Sequence, residues 1–520
     1  MNLRYLLFLY TICFVFGCKP TAQLGTGVKG EPVEFIVLQM NDVYEIAPLE
    51  GGKAGGLARV ASIRKELMKE NANTITILSG DFLSPSFLGT LKMENEEGQE
   101  EKIAGLQMIE ALNALGLDYV TFGNHEFDLK DPVLLEKRMA QSAFEYTVCN
   151  ATYSVEGVER PFVQKIDGVD RPVPEYILHE IAGANGQKVK VGFMGVVLAF
   201  SFPGYVKYGS VVESFRETYK ELQTKADVCL AMTHLDVAED EALADAVRGV
   251  PLFMGGHDHT QMSRYVNNTI IAKADANAKT VYIHRVRFDP ATGYTSIRSN
   301  VRKIDDTIEE DSATKAVVDK WQNKANAIMK EMGYQPEEKV LTLTKPLNCK
   351  ETVVRNEQTN YGKLTMDAIA AADPGADIYF INSGSMRLDD DLHGLVTQYD
   401  VLRTFPYGGN LVRTTLPGDV LQKVLQISNT TNKGAGGYLQ VKRNATSSDG
   451  PCPGVQPIDP AKSYKVVLPG FVAAGKEKNL EFLKDYPKEP AKKEFVVDGQ
   501  KVRNDIRDVV IHHMKKLGTY

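Results

Sequence analysis

Cysteine is scarce in this 520-residue chain: there are six, and no two form a Cys-x-x-Cys pair. Cys149, Cys229, Cys349 and Cys452 lie far apart, which excludes a thiolate metal site and a dense disulfide framework. One or two disulfides stay open, but the spacing defines no pair. Tryptophan occurs once, at Trp321. Basic surplus is missing as well: the net charge is −7, with both signs interspersed, so the chain offers neither a nucleic-acid surface nor one for anionic membranes. The apolar run 5–16, preceded by Arg4, is too short to span a bilayer but has the length of the apolar centre of an export leader.

That run ends in Val15-Phe16-Gly17-Cys18, which resembles a loose bacterial lipobox with Cys18 as the lipid-bearing first residue of the mature chain. Ordinary secretion with cleavage nearby is the alternative. Either way residues 1–18 are expected to be an export signal. The protein is then expected at a bacterial cell envelope, touching membrane only through lipid on Cys18. Roughly 500 residues remain, enough for two or three domains with full cores.

From residue 34 to about 302, β-branched runs alternate with helical spacing. Strands are expected at 35–40, 74–78, 119–122, 189–197, 228–233 and 252–254, and helices at 57–71, 103–115 and 132–142. The pattern is that of an α/β layer with helices outside. In such a sheet ligands bind beyond the carboxyl ends of the strands. There the polar residues recur: Asn41-Asp42, Gly80-Asp81, Gly123-Asn124-His125, His234 and His257-Asp258-His259. Two carboxylates, one amide and three imidazoles, each leaving an apolar strand through a short turn, form an N/O donor set. It suits Zn, Mn, Fe or Co rather than Cu(I) or an iron–sulfur cluster. Phe122-Gly123-Asn124-His125-Glu126-Phe127-Asp128 is the centre of this pattern, because Asp128 could orient the His125 imidazole beside the metal.

These blocks, in order, resemble those of the calcineurin-like metallophosphoesterases, and more closely the 5′-nucleotidase and UDP-sugar hydrolase branch. The resemblance covers nearly all of the mature chain. It implies an N-terminal αββα sandwich at 30–305, a helical linker at 306–336 and a smaller α/β substrate-binding domain at 337–520. It further implies two divalent metal ions, Zn, Mn or similar. Asp81 bridges them, Asn124, His234 and His257 complete one, and Asp42 and His259 serve the other. Such ions lie ~3.5–4 Å apart and hold a bridging hydroxide that attacks phosphorus. The catalytic pair carried over is His125 and Asp128, although an Asp there could also cap the following turn. Gly55-Gly56-Leu57-Ala58-Arg59 shapes the site wall. One block departs from the family: Asp42-Val43-Tyr44 stands where Asp-x-His is usual. This points to altered metal selectivity, or to Tyr44 as a ligand.

Composition changes near 305. The charged stretch 308–332 reads as a helix ended by Gly333-Tyr334-Gln335-Pro336, with Trp321 a packing residue, and the resemblance puts an interdomain hinge here. Beyond it, helix 363–372 and strand 376–380 lead to Asn382-Ser383-Gly384-Ser385-Met386-Arg387. Two Gly-rich turns then carry aromatics. Arginine and asparagine with two such aromatics could clamp a phosphate and sandwich a base. In the resemblance Arg355, Asn382 and Arg387 grip substrate, Tyr407 and Phe471 stack the base, and Glu477 stands near where a ribose-binding aspartate is expected.

The implied activity is removal of the 5′-phosphate from nucleotides, with nucleotide sugars, di- and triphosphates and cyclic nucleotides as further substrates. A relative acting on sulfur substrates shares the metal architecture, but Tyr407 and Phe471 favour a base. The rival from another class is a lipid-anchored nucleotide-binding or interaction protein, its catalysis weakened by Tyr44.

Overall fold

The computed structural model describes residues 30–94, 98–183, 186–200, 203–388, 390–444 and 458–520. The leader reading at 1–18 and Cys452 lie outside them. Among the described residues no helix is long and apolar enough to cross a membrane. Cys149, Cys229 and Cys349 are free thiols.

The chain is mixed α/β, with a sandwich of two six-stranded sheets followed by a smaller α/β unit. The first sheet has the order Tyr294–Lys303, Thr280–Asp289, Val33–Met40, Thr74–Ser79, Tyr119–Thr121, Glu145–Thr147. From Val33–Met40 onward its strands are parallel. The second runs Tyr176–Ala182, Lys188–Val197, Val228–His234, Leu252–Gly255, Thr269–Lys273, Met262–Val266, with its four middle strands parallel. Thr74–Ser79 and Val228–His234 are buried throughout, which is why they read as continuous apolar runs without alternation.

Val37, Ile75 and Ile77 from one sheet meet Phe193, Leu230 and Met254 from the other in a shared core. Polar groups lock the sheets together at the end where the site lies. Gln39 Nε2 donates to Gly255 O (3.2 Å) and Ala272 O (2.8 Å), and Ser79 Oγ donates to Met254 O (2.6 Å). The ends of the strands are therefore held at fixed spacing.

The expected helices are observed at Leu57–Glu70, Leu106–Leu115 and Pro132–Ala140. The second begins later than expected because Gly105 takes a left-handed conformation (φ 87°) ahead of it. In the third, Asp131 accepts the Val133 N–H and Pro132 occupies the first turn. The helix Ser312–Glu331 is not a free connector. It packs against the first two helices, Trp321 is buried, and the indole N–H donates to Glu110 (2.9 Å).

The second unit centres on a four-stranded sheet in the order Leu411–Pro417, Ser463–Pro469, Ile378–Asn382, Leu439–Arg443. Helix Asn360–Ala372 starts three residues earlier than expected because Thr359 caps it by accepting the Gly362 N–H. The units are joined by buried polar contacts. Glu45 accepts from Arg403 Nε (2.9 Å) and Tyr399 Oη (2.7 Å), and Asp390 accepts from Lys279 (2.8 Å) and Asn277 (3.1 Å).

Candidate metal centre

Each expected ligand emerges from the carboxyl end of a parallel strand. Asp42 follows Val33–Met40, Asp81 follows Thr74–Ser79 and Asn124 follows Tyr119–Thr121, while His234 ends its own strand and His257 and His259 follow Leu252–Gly255. They converge in two sets, Asp81 with His234 and His257, and Asp42 with Asp81 and His259, each with its ligand atoms within 4.8 Å of one another. Asp81 belongs to both sets. Asn124 Oδ1 joins the first, 3.2 Å from His234 Nε2 and 3.2 Å from His257 Nδ1.

The backbone bends hard to achieve this. Asp42 (φ 53°), Asp81 (φ 58°), His257 (φ 79°) and His259 (φ 55°) all sit in the left-handed region, where non-glycine residues are uncommon and strain marks functional sites. Adjacent glycines permit the approach. A Cβ on Gly123 would meet Asp81 Oδ1 at 2.1 Å, and one on Gly256 would meet Ser79 O at 2.4 Å.

A further layer fixes the ligands. His234 Nδ1–H donates to Ser79 O (2.8 Å), which leaves Nε2 for the centre. Asp42 accepts the His257 N–H (2.9 Å) and an Asn41 amide proton (2.7 Å). Glu126, which sequence reasoning passed over although it lies in the central block, takes the backbone N–H groups of Asp81, Phe82, Leu83 and Gly123 at 2.7–3.0 Å. The loops carrying Asp81 and Asn124 therefore share one buried carboxylate. Burial and the neighbouring Asp81 raise the Glu126 pKa to about 7. Lys273 was passed over too. Fully buried, it donates to Leu235 O (2.6 Å) and Gly256 O (2.9 Å) and pairs with Asp240 (2.8 Å) and Asp258, tying the two histidine loops together.

The donor chemistry fits divalent cations. Imidazole nitrogens and carboxylate or amide oxygens crowd to 3.1–3.2 Å, a packing of lone pairs that needs positive charge between them. Without metal that charge is protonic. Burial opposes it, but Asp81 and Asp42 hold the His234 imidazolium up to about 9, while burial and His234 lower His257. Metal must displace the His234 proton. Titrating the metal-stripped protein with Mn²⁺ at pH 7.5, in buffers of different ionisation enthalpy, should therefore show release of about one proton as the site that holds His234 fills. Affinity should rise with pH up to about 9. Uptake without proton release would remove His234 from the ligand set.

His125 and Asp128 lie on a 3₁₀ turn beside the ligands. His125 donates its backbone N–H to Asp81 Oδ1 (2.7 Å), and its Nδ1 lies 2.8 Å from Asp128 Oδ2. The helix that follows is capped by Asp131 rather than by Asp128. Asp128 accepts from Ser84 Oγ (3.1 Å) and Arg387 Nη2 (2.9 Å), and although burial opposes the shift, His125 and Arg387 hold its carboxyl well below the usual range. Tyr44 is buried, its hydroxyl 3.1 Å from Asp81 Oδ2 and 3.0 Å from His259 Nε2. It borders the second ligand set.

The residues expected to grip substrate divide. Arg387 reaches Asp128, and Arg355 sits on Glu351 nearby. Tyr407 and Phe471 are 68% and 50% exposed. They lie on neighbouring turns, because Leu411 pairs with Pro469 and the Gly470 N–H donates to Asn410 O (2.8 Å). Asn382 donates to Glu477 (2.7 Å). A cleft between the units is lined by Asn124, His125, His257, His259, Lys350 and Glu351.

The profile of the calcineurin-like phosphoesterases matches residues 35–261, and that of the 5′-nucleotidase C-terminal domain matches 339–485. A trifunctional nucleotide phosphoesterase of Bacillus subtilis is 27% identical over 72% of this chain, which spans 27% of that protein's length. Rat 5′-nucleotidase is 23% identical over 83% of this chain and 79% of its own. Among solved structures, a 5′-nucleotidase precursor from Thermus thermophilus superimposes with a TM-score of 0.66 at 21% identity, covering 94% of this chain and 97% of that one.

Proposed function

This chain belongs to the family that joins a calcineurin-like phosphoesterase domain to a 5′-nucleotidase C-terminal domain, and from that premise we propose an exported dinuclear-metal phosphohydrolase that removes the 5′-phosphate of nucleotides. As a member of the family it is a hydrolase of phosphoric esters. The observation that carries the finer reading is Asp81, shared by two ligand sets, with its Oδ1 2.7 Å from the backbone N–H of His125. When bound, two divalent ions would lower the pKa of water and neutralise charge on the phosphoryl oxygens.

The protein's own groups supply the rest. Asp128 fixes the His125 tautomer with the proton on Nδ1, so that Nε2 faces the cleft. Protonated on Nε2 by solvent water before the step, His125 stabilises negative charge as the phosphorus–oxygen bond breaks and gives that proton to the leaving oxygen. Arg387, bonded to Asp128, brings a guanidinium from the second unit to the same point. Exposed Tyr407 and Phe471, on adjacent turns, suit a base stacked between them.

Selection by those aromatics is testable apart from the chemistry. Tyr407→Ala with Phe471→Ala should raise KM for AMP about 10- to 100-fold and leave p-nitrophenyl phosphate hydrolysis within about twofold. Equal loss on both substrates would sink the base-stacking assignment.

A further inference from the structure

Apart from the metal ligands and Asp128, an acidic side chain stands where the donors for an anion converge. Glu351 opens the short helix Glu351–Val354 and is buried in the cleft between the units. Its Oε2 lies 3.6 Å from His125 Nε2 and 3.7 Å from Arg387 Nη1, and its Oε1 pairs with Arg355 Nη1 one helical turn on. Nε2 is the cleft-facing nitrogen of His125, because Nδ1 is held by Asp128. Arg355 Nε is buried with no hydrogen-bond partner among the described residues, so its guanidinium keeps a donor in reserve. Carboxylate and phosphate draw on the same charged donors.

We propose that Glu351 competes intramolecularly for the phosphate position and thereby sets charge specificity. It weakens binding of dianionic monoesters more than of monoanionic diesters. This rests on the phosphohydrolase reading of the metal centre. An incoming phosphate must displace the carboxylate from Arg387 and His125 or lie against it, and in a buried cleft the repulsion grows with each charge the ligand carries. A purely structural Glu351, present only to neutralise buried arginines, would leave no such ordering by ligand charge.

Inorganic phosphate reports the competition without a nucleoside. Calorimetric titration of the Mn²⁺-loaded protein should show phosphate binding about tenfold tighter in Glu351→Gln than in the parent. Glu351→Asp, which keeps the charge but withdraws it by one methylene, should lie between them and serves if the Gln variant does not fold. The ratio of kcat/KM for p-nitrophenyl phosphate over bis(p-nitrophenyl) phosphate should rise by a similar factor. Phosphate binding that is unchanged or weaker in both variants, including none in any of the three proteins, overturns the proposal. Tighter phosphate binding with no release from AMP would uphold it and sink the nucleotide reading instead.

Discussion

His125→Ala is expected to lower turnover of AMP by about a thousandfold while leaving metal content and thermal midpoint near those of the parent. The side chain is spent on Asp128 at one nitrogen and faces the cleft with the other. Its backbone N–H donates to the ligand Asp81, a bond that alanine retains. KM should change little, since the loss falls on charge that develops during bond breaking. Metal analysis beside steady-state kinetics checks this, and loss of metal together with activity would make His125 a structural support instead. Asp128→Asn should cost less than His125→Ala, because asparagine still accepts from the His125 Nδ1–H but brings no charge.

Asp81→Asn is expected to do the opposite, removing activity through the metals. Asp81 is the one residue shared by both ligand sets, and it lies within 3.1 Å of His234 Nε2 and of the Tyr44 hydroxyl. Outer partners of metal ligands typically change affinity about 10- to 100-fold, so losing the shared carboxylate should exceed about a hundredfold and leave fewer than two ions per chain. The protein should still fold, since asparagine Oδ1 can accept the His125 N–H and the two-sheet core is untouched. Full metal content in the variant would refute Asp81 as the bridging group.

The six candidate ligands were legible because parallel strands buried on both faces appear as apolar runs, and the polar residues that follow each run leave at the sheet's carboxyl edge. Positions set by tertiary contact were not. Glu126 looks like an ordinary acidic residue in a turn, yet it organises two loops through four backbone N–H groups. Lys273 ends an apolar run, where nothing local announces that its ammonium is buried between two aspartates. The outer hairpin Thr280–Asp289 and Tyr294–Lys303 escaped as well, because its second strand is mostly solvent-facing and carries little apolar signal.

Tyr44 shows the same limit from another side. The sequence marks it as a departure at a ligand position, but only the fold puts its hydroxyl between Asp81 and His259. Glu351 precedes Arg355 by one helical turn and would pass for a surface ion pair. Its meaning arises only when the second unit docks against His125.

The most direct measurement is phosphate release from AMP by the metal-stripped protein, resupplied in turn with Mn, Zn, Co or Mg. The account predicts no release without metal, release restored by at least one ion, and a rate that tracks occupancy of two ions per chain. Binding of AMP without release under any metal would contradict it, and would mark this chain as a nucleotide-binding protein on a phosphohydrolase fold.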